Sequence, residues 1–285
     1  MARFGAHAFI WESTWTPDAA RRVISSAAQA GLDFVEIPLL RPADFDAAGA
    51  RGLLEEYGLD ATCSLGLPAD ATLPDDPPAA EAFLDQALAQ VERVGSPVLS
   101  GVVYGTLGVL PGRAPSEAER DVVAASLKRA ARTARTLGLR LGIEPVNRYE
   151  THLVNTTEQG LALLAAIDEP NVFLHLDTYH MNIEEKGFAA PIEAAGDALQ
   201  YIHLSESDRG TPGTGNVRWL DVFAGLAAIG YRGDLVMESF AAVNPDIARA
   251  TCMWRQVAPS SEVLIRDGLS FLREHAARHG LDGTA

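Results

Sequence analysis

Arg140-Leu141-Gly142-Ile143-Glu144, Val172-Phe173-Leu174-His175-Leu176-Asp177, Leu199-Gln200-Tyr201-Ile202-His203 and Asp234-Leu235-Val236-Met237-Glu238 are four short apolar runs, each closed by an acid or a histidine. Their length and their alternation with longer, Ala-rich stretches of helical period read as successive strands of a parallel sheet. Working outward from them, further strands are expected at Phe4–Ile10, Phe34–Ile37, Ala61–Leu65 and Val98–Val103. Helices are expected over Asp18–Ala30, Pro78–Val94, Ser116–Leu137, Thr157–Ile167 and Leu220–Ile229, with a last amphipathic helix from Ser261 to about His279. Gly31, Gly58, Gly138 and Gly230 each stand where a helix would close in a left-handed cap before the next strand. Eight strands with helices after most of them, and no linker long enough to mark a boundary, predict one (β/α)8 TIM barrel domain of the α/β class over residues 1–285, with a helical tail. A doubly wound sheet would need a glycine cradle after the first strand, and His7-Ala8-Phe9-Ile10-Trp11-Glu12 offers none.

Composition narrows the function. Apolar residues make up 47% of the 285, so a large core is available. Asp and Glu number 38 against 23 Lys and Arg, a net charge of -15 that would repel nucleic acid and anionic membranes over most of the surface. No apolar run approaches spanning length, and no secretory leader is expected, so a cytoplasmic setting is the default reading. The two cysteines, Cys63 in a strand and Cys252 in an expected helix, lie in no CxxC or CxxH pattern and argue against a zinc cluster or a disulfide framework.

Glu144, Asp177, His203 and Glu238 would each point into the mouth of such a barrel from strands five to eight. Neighbouring strands lie roughly 5 Å apart, so the four side chains can converge without a special loop. Three carboxylates and one imidazole suit manganese, cobalt or magnesium. Each residue alone also has an ordinary reading, as a loop-facing carboxylate or a packed histidine; the joint placement carries the case. The apolar neighbours Ile143, Leu176, Ile202 and Met237 imply burial, and buried acids are costly unless paired or bound to a cation.

Other polar groups follow these strands. Glu150, His180 and Arg209 are candidates to hold substrate oxygens, although Arg209 can equally pair with Glu206 or Asp208 on a solvated loop, and Glu150 can be an exposed turn residue. Trp11 and Trp15, with Phe9, Leu107 and Val109, are candidates for an apolar wall against a sugar's C–H face; core packing accounts for the tryptophans nearly as well. His7 and Glu36 end, or nearly end, early strands and face the mouth from the other side, with no chemical role assigned.

A divalent ion so held can polarise a carbonyl and an adjacent hydroxyl together, easing removal of the proton on the carbon between them. Glu144 and Glu238, from non-adjacent strands, can flank a substrate and exchange that proton on opposite faces. Aldose–ketose isomerisation, polyol dehydration and phosphodiester hydrolysis need similar ligands; the last is disfavoured by seven histidines in all and a negative chain.

The stretches Ile143-Glu144-Pro145-Val146-Asn147-Arg148-Tyr149-Glu150, His175-Leu176-Asp177-Thr178-Tyr179-His180-Met181-Asn182-Ile183-Glu184-Glu185, Tyr201-Ile202-His203-Leu204-Ser205-Glu206-Ser207-Asp208-Arg209-Gly210, Gly213-Thr214-Gly215 and Glu238-Ser239-Phe240 resemble the ketose 3-epimerases, the D-tagatose, D-allulose (psicose) and L-ribulose 3-epimerase group. The resemblance implies one Mn2+ or Co2+ (Mg2+ as a substitute) per subunit on Glu144, Asp177, His203 and Glu238. It implies epimerisation at C3 of unphosphorylated ketoses through a cis-enediolate, with Glu144 and Glu238 as the acid–base pair. Glu150, His180 and Arg209 would contact the sugar, and the subunits would assemble as homodimers or homotetramers. Asp208, where relatives often carry histidine, and the Gly- and Pro-bearing loop Tyr104–Pro115 depart from the pattern and leave the preferred sugar open. A hydroxypyruvate- or xylose-isomerase-like enzyme is the nearest alternative; a sugar-binding protein without turnover is a more distant one.

Overall fold

The computed structural model describes residues 2–241, 248 and 253–281. Eight parallel strands, β1 (Arg3–His7), β2 (Phe34–Pro38), β3 (Asp60–Gly66), β4 (Val98–Val102), β5 (Arg140–Ile143), β6 (Val172–Asp177), β7 (Leu199–Leu204) and β8 (Asp234–Met237), pair in sequence order, and β1 pairs with β8 to close the barrel. The helices are α1 (Pro17–Gln29), α2 (Ala47–Tyr57), α3 (Pro77–Val94), α4 (Glu117–Thr136), α5 (Thr157–Ile167), α6 (Thr178–Glu184), α7 (Ala189–Ala195), α8 (Trp219–Ala228) and α9 (Ser261–Arg278). None of the described helices is long and apolar enough to cross a membrane.

Agreement with the sequence reading is closest where a helix or strand has strong punctuation. Gly31, Gly58, Gly138 and Gly230 all have positive φ, as a left-handed cap requires. Three differences have local causes. The apolar run from Phe4 to Ile10 is not one strand: His7 Nδ1 accepts the Phe9 N–H at 3.1 Å and caps a 3-10 turn over Ala8–Ile10. The segment after β6, where the sequence suggests no helix, contains α6, because the Asp177 carboxylate accepts the Tyr179 N–H at 2.7 Å and serves as its N-cap. The helices α2 and α7 had no place in the sequence reading, though the glycine closing α2 did. Cys63 is buried, and Cys252 lies outside the described residues.

The period of two along each strand sorts the side chains. Ile143, Leu176, Ile202 and Met237 face outward into the shell between sheet and helices, where each is at most 1% exposed. The alternate positions face the barrel axis. Phe34, Val98, Phe173, Tyr201 and Val236 form a separate apolar layer inside it. Below that layer Arg3 lies over the Phe34 ring and Arg140 over the Phe173 ring, with guanidinium–centroid distances of 5.0 and 5.1 Å. Arg3 also donates to Asp234 at 3.0 Å. Above the layer, toward the C-terminal ends of the strands, the inward positions are polar: His7, Glu36, Ser100, Glu144, His175, Asp177, His203 and Glu238. One end of the barrel is plugged by packed rings under guanidinium groups, and the other is lined by ionisable groups.

The interior tolerates no extra atom beside β5. A Cβ added at Gly142 would lie 2.2 Å from Ser100 Oγ and 2.7 Å from the Phe173 ring. Gly142→Ala is expected to destabilise the protein by about 1–3 kcal/mol and to lower Tm by roughly 3–10 °C in a thermal unfolding scan. An unchanged Tm would contradict this packing.

Candidate active site

The four residues at the ends of β5 to β8 meet at one point. His203 Nδ1 lies 3.3 Å from Glu238 Oε2, 3.8 Å from Glu144 Oε1 and 4.0 Å from Asp177 Oδ2. All four side chains are buried. His203 Nδ1 itself is buried and has no hydrogen-bond partner, although three carboxylates surround it. An imidazole nitrogen without a hydrogen-bond partner among three convergent carboxylates is a donor set for a divalent cation, with oxygen ligands predominating as manganese, cobalt or magnesium require. Glu144 and Glu238 each stand one residue beyond the end of β5 and β8, and the Glu144 backbone is held there, its N–H donating to the Gly101 carbonyl at 3.2 Å and its carbonyl accepting from the Tyr104 hydroxyl at 2.7 Å.

Electrostatics point the same way. Burial raises the Glu144 carboxyl well above the usual carboxylate range, and the charges of Glu238 and Asp177 add to it. Burial likewise pushes Asp177 up to about 7, against the pull of Arg209. Glu238 is just as dry, but Arg209 and His203 hold it well below its ordinary value. In the absence of a cation the cluster therefore keeps protons that a cation would displace.

Arg209 is the group's internal counter-charge. It does not sit on a solvated loop: it is 3% exposed, and its Nη1 donates to Asp177 Oδ2 at 2.6 Å and to Glu238 Oε2. Its guanidinium lies over the Tyr179 ring at 4.0 Å. Two devices aim it inward. Its backbone has φ of 63°, a left-handed turn that throws the side chain back over the mouth. The loop around it is organised by Glu206, whose buried carboxylate accepts from the backbone N–H groups of Ser207, Gly213 and Val217 and from Trp219 Nε1 at 2.7–3.0 Å. Gly215 belongs to the same cradle: a Cβ there would lie 2.6 Å from Glu206 Oε1. Asp208 turns outward, accepting from Gly210 N–H at 3.0 Å and from Arg255 at 2.9 Å.

His180 and Glu150 share one clamp. The Asn147 backbone N–H donates to His180 Nδ1 at 3.1 Å, and the Asn147 side-chain amide donates to Glu150 Oε1 at 2.8 Å. His180 Nε2 faces Asp177 Oδ2 at 3.6 Å and Glu144 Oε1 at 3.8 Å. Arg209 Nη2, which can only donate, lies 3.2 Å from that nitrogen, so Asn147 and Arg209 hold the ring from its two opposite nitrogens. Burial drives His180 well below the normal histidine range, keeping it neutral, and pushes Glu150 up to about 7. Glu150 is buried, not an exposed turn residue.

The cavity over these groups is lined by His7, Phe9, Glu36, Leu107 and Phe240 among others. Phe9 and Leu107 take part in an apolar wall, with the Phe240 ring tilted against that of Phe9 at 5.7 Å. The wall does not include Trp11, Trp15 or Val109. The 3-10 turn after His7 sends the chain outward, so the two tryptophans pack on the flank of the core, with Trp15 6.2 Å from Phe45 beside α1 and α2. Val109 is exposed on the rim. Three residues with no assigned role at the sequence level are part of the site's support: Asn147, His175 and Glu36. His175 lies beneath the cluster, its Nδ1 2.9 Å from Ser100 Oγ and its ring 4.2 Å from that of His203. It is an inward position on β6 two residues before Asp177, and that period was the available signal.

Comparison with known proteins agrees with this geometry. Residues 24–275 match the family described as xylose isomerase-like TIM barrel. The chain is 43% identical to the L-ribulose 3-epimerase of Methylomonas sp. (strain DH-1), over 95% of this chain and 96% of that protein. It is 38% identical to the ketose 3-epimerase of Arthrobacter globiformis, over the same shares of the two chains. The crystal structure of a D-allulose 3-epimerase from Methylomonas sp. in complex with D-allulose superposes with a TM-score of 0.93 at 41% identity, covering 96% of this chain and 97% of that one. A barrel whose mouth gathers three carboxylates, one imidazole and a buried arginine, in a chain with these relatives, belongs to the ketose 3-epimerase family.

Proposed function

We propose that this enzyme inverts C3 of small unphosphorylated ketoses of the D-allulose/D-fructose, D-tagatose and L-ribulose class, with Glu144 and Glu238 exchanging the proton. The observation that carries the reading is the approach of both glutamates, from β5 and β8, to the same unpartnered imidazole nitrogen. The names of the relatives, L-ribulose 3-epimerase and D-allulose 3-epimerase, support the substrate class. So does the cavity: its one arginine is committed to Asp177 and Glu238, which leaves no lining Lys or Arg among the described residues to neutralise a phosphate.

Glu144, Asp177, His203 and Glu238 would hold one Mn2+ or Co2+, with Mg2+ as a substitute, and such an ion when bound stabilises negative charge developing on the ketose oxygens. The chain's own groups supply the remainder. One glutamate takes the C3 proton and the other delivers a proton to the opposite face, and the two exchange roles in the reverse direction. Neutral His180 and Arg209 steady the oxygens near the reacting carbon. Glu150 accepts from a hydroxyl. The wall of Phe9, Leu107 and Phe240 keeps water from the exposed carbanion face.

Three outcomes test this. D-fructose or L-ribulose turned over in heavy water with added Mn2+ should gain deuterium at C3; label confined to C1 would instead identify an aldose–ketose isomerase. Glu144→Gln and Glu238→Gln should each lower kcat by about 10²–10⁴-fold at saturating Mn2+, while Arg209→Ala raises KM more than it lowers kcat. Near-parental kcat in both glutamate variants would exclude the two-base scheme. Mn2+ affinity should tighten from pH 6 to pH 8. Glu144 and Asp177 have raised proton affinity in the cation-free site, Asp177 near 7, and these protons must leave as the ion enters, so deprotonation with rising pH favours binding. Calorimetric titration at the two pH values reads both the affinity and the proton release, and a flat affinity would contradict the assignment.

A further inference from the structure

Glu36 is a fully buried carboxylate that the proposed reaction does not use. It reaches the axis from β2, across the barrel from β6. Its Oε2 lies 2.7 Å from His203 Nε2 and accepts the Tyr201 hydroxyl proton at 2.7 Å. The Tyr201 oxygen lies 2.7 Å from Thr62 Oγ1 in turn. Its other oxygen, Oε1, has no hydrogen-bond partner and faces His7 Nε2 at 3.7 Å.

The direction of these bonds follows from chemistry. Tyr201 has one proton and gives it to Glu36, so Thr62 donates to Tyr201. An ionised carboxylate has no proton to give, so His203 donates through Nε2. The nitrogen left for a cation is then Nδ1, which faces Glu238, Glu144 and Asp177. We propose that Glu36 is a positioning residue for the cation centre, holding His203 as the Nε2–H tautomer and aiming its Nδ1 lone pair at the point where the three carboxylates converge. The inference rests on reading that point as a divalent-cation site. A carboxylate behind a ligating imidazole fixes the ring's orientation and strengthens it as a donor. An amide in its place carries no charge and can turn its NH2 toward Nε2, which would favour the tautomer that cannot ligate.

The test measures binding of Mn2+ to chelator-stripped protein without sugar, from the spin-resonance signal of the free ion. Glu36→Gln should raise the Kd for Mn2+ by about 10–100-fold while KM for the ketose at saturating Mn2+ stays at the parental value. Tyr201→Phe removes the other donor to the same oxygen but keeps the imidazole contact, and should shift Kd by far less. A parental Kd in Glu36→Gln overturns the proposal. So does an equal loss in Tyr201→Phe, since the polar chain as a whole would then be responsible. If Glu36→Gln fails to fold, nitrogen NMR of the Mg2+-loaded parent labelled at histidine decides: His203 protonated at Nε2 and bare at Nδ1 supports the proposal, and the reverse tautomer overturns it. A parent that binds Mn2+ but does not epimerise at C3 would defeat the proposed reaction and leave the Glu36 assignment standing. A parent that binds no divalent ion overturns both.

Discussion

Three carboxylates share a dry space within about 4 Å of one imidazole nitrogen, and the rest of the mouth is built to make that arrangement bearable. Like charges at such distances in a low-dielectric site cannot all persist without compensation. Arg209, which donates to two of the three acids, and His203 between them supply the compensation. Even so, Glu144 and Asp177 retain raised proton affinity. Under the proposed function those protons leave as a cation enters, and Glu144 and Glu238 are then the groups that move a proton on the substrate.

Holding these acids in place requires buried polar atoms elsewhere, and most of them are satisfied in pairs across neighbouring loops. Thr178 Oγ1 donates to the Ser205 carbonyl and accepts the Ser205 N–H, tying the end of β6 to the end of β7. Ser239 Oγ donates to the Gly210 carbonyl, and Phe240 N–H to that of Arg209, tying the end of β8 to the arginine loop. Glu184 on α6 accepts three bonds from Arg148, and Glu185 accepts the first N–H of α5 at Thr157. The motifs that mark the family thus mix two jobs. Some residues face the cavity, and others, including Glu184, Glu185, Glu206 and Gly215, fix the loops that carry them.

The apolar side of the cavity is the less constrained part. Phe9, Leu107 and Phe240 come from three different loops, and Leu107 stands in the segment between β4 and α4 that is pinned at only a few points. Gly108 N–H donates to the Glu150 carbonyl at 2.7 Å, and Thr106 Oγ1 to the Pro68 carbonyl at 3.0 Å. The Glu150 backbone therefore supports the rim while its side chain belongs to the polar half. At its start the same segment also supports the acid cluster, because the Tyr104 hydroxyl donates to the Glu144 carbonyl at 2.7 Å.

The barrel, its glycine-closed helices and the convergence of Glu144, Asp177, His203 and Glu238 were legible in the sequence because they follow from local periods. A parallel strand buried on both faces alternates its side chains, and an acid or histidine closing such a strand at the same phase in four consecutive units must arrive at the same end. What the sequence alone left undecided depends on contacts between distant segments. Whether Arg209 met solvent or the cluster was settled by a left-handed backbone turn and by the Glu206 cradle. Trp11 and Trp15 went to the flank because a cap by His7 ended β1 early. Glu36 and His203 are 167 residues apart in the chain, and no period links them. Only closure of the sheet, through the pairing of β1 with β8, brings the inward side of β2 within reach of β7 and gives that carboxylate a partner.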